Sequence, residues 1–151
     1  MKKAFFLITA VLLSGNIIAQ AVDHSTVPEN VISALNKAYL NPPQVKWEMD
    51  YDNYIGKFER DKVEVAVTYN KDAVWLMTEI PVSHKSLPAA VKSCLTKQFD
   101  IYKENDIERV DKPAGVCYQI DLEYNQKTYE VLISESGELV KREEVKEYKK
   151  E

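Results

Sequence analysis

The stretch Val63 to Leu76 reads as strand, turn and strand, and it recurs 64 positions later as Lys127 to Val140. Val65 falls on Tyr129, Val67 on Val131, Tyr69 on Ile133, Trp75 on Leu139 and Leu76 on Val140. Alternating apolar residues around Asn70-Lys71-Asp72 and around Ser136-Gly137 are hairpin signals. A hairpin that returns at a fixed spacing points to a duplicated unit. The region before it repeats as well: Ser86-Leu87-Pro88 lies 60 positions after Thr26-Val27-Pro28. Val91, Leu95 and Phe99 match Val31, Leu35 and Tyr39. Each set is one apolar stripe at intervals of four, the pattern of an amphipathic helix.

Thr26 stands three before Glu29, the spacing of a capping box, with Pro28 in the first turn. Asn41-Pro42-Pro43 stops the first helix. The second is expected to run on through Tyr102. Four strands follow the first helix: Val45 to Met49, Tyr54 to Phe58, Val63 to Tyr69 and Ala73 to Ile80. In the second copy a weak strand signal at Ile107 to Asp111 precedes Tyr118 to Tyr124, Lys127 to Ile133 and Glu138 to Val145. The offset grows from 60 to 64, which is read as a connection from helix to sheet four residues longer. The expected organisation is a leader at 1–21, one unit at 22–82, a second at 83–146 and a charged tail at 147–151.

The leader begins with Lys2-Lys3, continues as an apolar run from Ala4 to Leu13, and reaches Ala19-Gln20-Ala21. A basic start, a short apolar core and a small-x-small site form a secretory signal, with cleavage expected after Ala21. The run is too short for a comfortable membrane span. The expected location is the periplasm or outside the cell, with no membrane insertion after cleavage. Losing Lys2 and Lys3 takes the formal net charge from −4 to −6. Such an acidic chain is a poor nucleic-acid binder, which needs clustered Lys and Arg.

Alternation gives each sheet an apolar and a polar face, as in a half-solvated antiparallel sheet. The helix stripes should cover the apolar side. Cys94 then lies near the buried side. Cys117, out of phase with Tyr118, Ile120 and Leu122, points to the open face. Bridged Cα atoms must lie within about 7 Å, so a disulfide between them is not expected.

The pattern resembles the PepSY-like, β-lactamase-inhibitor-like family of small exported proteins. The residues that carry it are Val27-Pro28, Val45 and Trp47, Tyr54 to Phe58, Trp75-Leu76, Leu87-Pro88, Tyr118 to Leu122 and Tyr129 to Leu139. The resemblance implies an α+β fold, a tandem repeat of two helix-plus-four-strand antiparallel units. Their strands would join into one curved eight-stranded sheet with both helices on one face. It also implies a periplasmic location and no established catalytic activity. In the inhibitor relatives the open face grips a partner enzyme. Unit two departs from unit one where Gly56 becomes Ile120 and Trp75 becomes Leu139.

Chemistry-bearing patterns are sparse. His24 and His84 have no second ligand at metal spacing. Cys94 with His84 makes a poor thiol pair, because Cys94 sits on an apolar stripe rather than in an electropositive setting. No nucleophile elbow, phosphate loop or dinucleotide fingerprint occurs. Asp50, Asp52 and Asn53 cluster at one turn and could offer oxygens to Ca²⁺, although Asp and Asn also favour turns for backbone reasons. Glu64, Thr68, Asp121, Glu123 and Glu130 are expected on the open face with Lys57. Trp75 and Met77 are expected to share one strand face, with Val74, Leu76 and Ile80 on the other. Tryptophan and methionine are enriched in binding patches, but core packing between the two units is the favoured role for this pair.

These features point to a non-enzymatic periplasmic binding module, an inhibitor or regulator of an exported or envelope protein. Its partner contacts would be Trp75, Met77, Glu64, Thr68, Asp121, Glu123 and Glu130. The alternative is a calcium- or small-ligand-responsive periplasmic protein using Asp50, Asp52 and Asn53. The first reading needs no cofactor.

Overall fold

A computed structural model describes residues 19–145; the apolar leader through residue 18 and the charged tail lie outside the described residues. The chain begins with β1 (Gln20–Val22), a 3₁₀ turn (His24–Thr26) and α1 (Glu29–Tyr39). Then come β2 (Lys46–Asp50), β3 (Asn53–Arg60), β4 (Val63–Asn70) and β5 (Trp75–Pro81). A second 3₁₀ turn (His84–Ser86) and α2 (Ala89–Gln98) lead into β6 (Lys103–Lys112), β7 (Gly115–Tyr124), β8 (Lys127–Ser134) and β9 (Leu139–Val145). All nine strands form one antiparallel sheet in chain order.

The sheet therefore has nine strands, not eight. The added strand is β1, which pairs Gln20, Ala21 and Val22 with Met49, Glu48 and Trp47. Its role is clear from the other half. There the Val82 N–H donates to the Ile107 carbonyl at 2.9 Å. On β2, β1 fills the place that the end of β5 fills on β6.

The capping box expected at Thr26 and Glu29 does not form. Thr26 lies inside the 3₁₀ turn, where its hydroxyl donates to the Asp23 carbonyl at 2.7 Å. Asp23 caps that turn by accepting from the Ser25 N–H at 2.9 Å. Pro28 is the N-cap of α1, with an extended backbone (φ −58°, ψ 136°), and Pro88 holds the same position before α2. The proline needs no N–H there. Val27 and Leu87, one residue earlier, are buried and pin each helix entry to the sheet.

α1 stops at Leu40, which takes the left-handed conformation (φ 57°). α2 stops at Gln98 and does not reach Tyr102, because Phe99 turns extended (φ −137°). Phe99 is fully buried against Tyr102, Tyr124 and Tyr129.

The four extra residues of the second half are not in the connection from helix to sheet. Trp47 opposes Gly56, and Ile107 opposes Ile120. Tyr39 to Trp47 and Phe99 to Ile107 are equal spans, so the added length falls within the β6–β7 hairpin. Its arms have 10 residues each, against 5 and 8 in β2 and β3.

Two buried clusters lie between helices and sheet. Val27, Val31 and Leu35 meet Trp47, Phe58, Val65, Val67 and Tyr69 in the first half. Leu87, Val91, Leu95 and Phe99 meet Ile107, Tyr118, Ile120, Leu122, Val131 and Ile133 in the second. Burial at about 25 cal/mol per Å² of apolar surface is what holds each helix to the sheet. Among the described residues no helix is long and apolar enough to cross a membrane.

Candidate functional site: the open sheet face

Side chains opposite one another in an antiparallel pair share a face, so the register identifies the face away from the helices. One row runs Glu48, Ile55, Thr68, Met77. The next runs Lys46, Lys57, Ala66, Glu79, Val110, Cys117, Ser134. A third runs Glu59, Glu64 in the first half, then Pro81, Glu108, Gln119, Leu132, Lys141. The fourth is Asp106, Asp121, Glu130, Glu143, with Glu123 and Thr128 beyond it. Of the residues singled out in the sequence, Glu64, Thr68, Met77, Asp121, Glu123 and Glu130 lie on this face together.

Trp75 does not. A bulge between Thr68 and Tyr69 inserts Leu76, so Trp75 opposes Tyr69 and Met77 opposes Thr68. One extra residue reverses the phase of a strand, and the simple alternation that joined Trp75 to Met77 fails there. Trp75 packs on the helix side, with its indole N–H donating to the Thr78 hydroxyl at 3.0 Å. The same bulge recurs in β9, where Ile133 opposes Leu139 and Val140 is the inserted residue.

The open face is not uniformly wet. Thr68, Val110 and Leu132 are 3%, 2% and 7% exposed although they belong to neither helix-covered cluster. Charged side chains surround them. Lys57 pairs with Glu48 at 2.7 Å, and Lys141 reaches Glu130 at 3.1 Å and Glu143 at 2.7 Å. Lys103 lies 3.3 Å from Glu123.

Between these pairs Asp106, Glu108, Gln119 and Asp121 line a cleft of about 230 Å³. Burial, then the charges of Glu79, Asp106 and Asp121, push the Glu108 carboxyl up to about 7, against a weaker opposing pull from Lys57. Burial raises Glu79 too, opposed by Lys112 and Lys57. Burial, then Glu130 and Asp106, raise Asp121. All three are partly desolvated carboxylates, and like charge adds to the rise at Glu108 and Asp121.

Sequence reading missed Glu79, Asp106 and Glu108. β6 starts at Lys103 rather than Ile107, and its polar composition hid it. The alternation of Asp106, Glu108 and Val110 with Ile107, Arg109 and Asp111 was the available signal.

The remaining candidates lie elsewhere. Cys94 is buried on α2 and Cys117 is part-buried on the open face between Val110 and Ser134; both are free. Burial pushes the Cys94 thiol up, away from the thiolate a nucleophile needs. His84 Nδ1 sits 2.7 Å from Glu104 Oε1, and His24 lies in the first 3₁₀ turn. Asp50 and Asn53 oppose one another as the closing pair of the β2–β3 hairpin, with Asp52 in the turn. Among the described residues no group of three or more His, Cys, Asp and Glu side chains is placed to hold a metal ion.

An open antiparallel sheet, helices on one side and a charged face with buried apolar points on the other, defines a class of small α+β proteins. Over residues 52–141 the chain matches the family described as "Putative beta-lactamase-inhibitor-like, PepSY-like". The chain belongs to that family. Solved structures share its fold. A BLIP-like protein from Bacteroides fragilis is 25% identical, with a TM-score of 0.69 over 78% of this chain and 86% of its own. A DUF2874 family protein from Bacteroides uniformis is 20% identical, with a TM-score of 0.73 over 78% and 88%. A protein from Bacteroides eggerthii described among "putative periplasmic proteins" is 23% identical, with a TM-score of 0.73 over the same shares. A search of the curated proteins finds no match.

Proposed function

We propose that this chain is a non-enzymatic, inhibitor-like binding module of the periplasm that docks an exported or envelope protein on its open sheet face. The observation that carries the reading is that face itself, where Ile55 and Met77 remain partly exposed on the same side as Glu64, Asp121, Glu123 and Glu130. Apolar points framed by a charged rim are the anatomy of a protein interface. Membership of a β-lactamase-inhibitor-like family supports the same reading. In this reading the mature chain follows cleavage after Ala21, and the units at 22–82 and 83–146 are two copies of one ancestral piece. Trp75 stiffens the first half from the helix side and does not contact the partner.

The test is capture from periplasmic extract by the immobilised mature chain, paired with inhibition assays on β-lactamases and envelope hydrolases. Wild type is expected to retain a protein that Met77→Arg with Glu130→Lys does not. Equal retention by both, or no retention by either, overturns the reading.

A further inference from the structure

We propose that β2 (Lys46–Asp50), once Gln20 and Ala21 are removed, pairs antiparallel with β2 of a second copy of this chain, giving a two-fold dimer whose sheet runs on from one copy into the other. This rests on one part of the reading above, the cut after Ala21, and is independent of what docks on the open face.

The seat is visible because β1 occupies it. Gln20, Ala21 and Val22 pair antiparallel with Met49, Glu48 and Trp47, so the outer side of β2 accepts an extended chain. The equivalent strand of the second half, β6, has a longer occupant, Thr78 to Pro81 of β5, with the Val82 N–H beyond it. On β2 the hold is slighter. Gln20 and Ala21 are exposed, and Val22 packs on the first cluster.

The second observation is an unsatisfied donor. Trp47 is 4% exposed, and its indole N–H is buried without a hydrogen-bond partner. Such a group is costly. Val22, opposite Trp47 in β1, has no side-chain acceptor to offer. Met49 of a second copy would bring a thioether sulfur, a weak acceptor, to the same position.

The residues of β2 select both the occupant and the register. Gln44 (φ 53°) and Tyr51 (φ 51°) are left-handed, so the strand offers its five residues and no more. Residues opposite one another share a face, and full overlap sets Glu48 opposite Glu48 of the second copy. Lys46 then faces Asp50 of the second copy, and Trp47 faces Met49, each pair occurring twice. Opposite charges and apolar pairs across strands are stabilising. The two Glu48 carboxylates meet at the centre, but each is held by its own Lys57 at 2.7 Å. Shifting the register by two residues either way leaves only three residues of each strand paired. Head-to-tail growth is opposed by charge. Copying the β5–β6 register, which sets Glu79 opposite Val110, would bring Glu143 of β9 against Asp50 of the next copy.

Sedimentation equilibrium of the chain beginning at Val22, from about 10 to about 500 µM, tests this. So small an interface should give a dissociation constant of about 100 µM. The chain beginning at Ala19, which keeps β1, should associate about tenfold more weakly or less. Asp50→Lys should weaken the dimer about tenfold. Lys46→Asp with Asp50→Lys should recover it, because both ion pairs return with their signs exchanged. Glu48→Cys should cross-link two copies on mild oxidation. Lys46→Cys should not, since its two Cα atoms would stand about 14 Å apart across the two-fold axis. A monomer at every concentration, equal association by both chain lengths, no recovery in the double reversal, or cross-linking by both cysteine variants overturns the proposal. Sequencing the N-terminus of the exported chain separates the two readings. A start at Val22 supports the dimer, whereas a start at or before Gln20 overturns it and leaves docking on the open face standing.

Discussion

The two halves fill equivalent space with opposite choices of volume. In the first, Trp47 faces Gly56; in the second, Ile107 faces Ile120. A Cβ on Gly56 would meet the Trp47 ring at 3.1 and 3.2 Å and Leu35 Cδ1 at 3.3 Å. The glycine is there because the indole and α1 take its side-chain space. Ile120 has no such neighbour and is itself fully buried. The far ends differ in kind. Tyr39, Thr78 and Trp75 form a hydroxyl-centred network in the first half, with Tyr39 and Thr78 oxygens 3.1 Å apart. The matching positions in the second are Phe99, Arg142 and Leu139. Arg142 lies over the rings of Phe99 at 4.6 Å and Tyr129 at 4.8 Å. The two clusters thus supply apolar volume between helix and sheet by different means.

The largest effect should come from emptying the second half. Ile120→Ala should cost about 2–5 kcal/mol in chemical denaturation, and a loss under about 1 kcal/mol would show that this side collapses easily. Next is the reverse change, Gly56→Ile, at about 1–3 kcal/mol from overpacking. Adding Trp47→Ile should recover part of that loss, a coupling of about 1 kcal/mol in a double-mutant cycle. Strict additivity would break the idea that the two positions trade volume. Thr78→Val should cost about 1–2 kcal/mol by stranding the indole N–H. Arg142→Met should cost about 0.5–1 kcal/mol through the lost ring contacts.

A further expected effect is pH-dependent and centres on Glu108 in the second half. Glu108 has its folded-state carboxyl raised from 4.5 to about 7, and Glu79 and Asp121 move the same way. The folded chain thus holds protons that the unfolded chain releases. Their stabilisation is complete below the unfolded value and is lost as pH rises through about 7. Thermal midpoints should be higher near pH 5 than near pH 8, and Glu108→Gln should flatten that slope. An unchanged slope would sink the assignment.

Much of this was readable in the sequence because burial imposes a period. Val31–Leu35–Tyr39 and Val91–Leu95–Phe99 gave both helices. The strict alternation of Tyr118 to Leu122 gave both the strand and its buried face. Reading failed where the period is broken by something non-local. The bulge at Leu76 is set by pairing with β4, so the simple alternation that put Trp75 and Met77 on one face fails there. β1 is only three residues long, and nothing in Gln20-Ala21-Val22 marks a strand until β2 is beside it. The cleft was illegible for a different reason. Asp106 and Glu108 come from β6 and Gln119 and Asp121 from β7, and only the register brings them together. Glu64, Thr68, Asp121, Glu123 and Glu130 were placed on one face by phase alone, because no bulge separates them from their strand cores.

The short first strand has a consequence for any form cut at the expected leader site. Its pairing residues Gln20 and Ala21 are the ones a cut after Ala21 would carry away, leaving Val22 alone beside Trp47. Glu48 and Met49 would then present bare backbone donors and acceptors at the sheet margin. Such a margin invites an extended segment of another polypeptide to add itself as a strand. The position of such a cut, by two residues, would decide whether β1 or β2 forms that margin of the sheet.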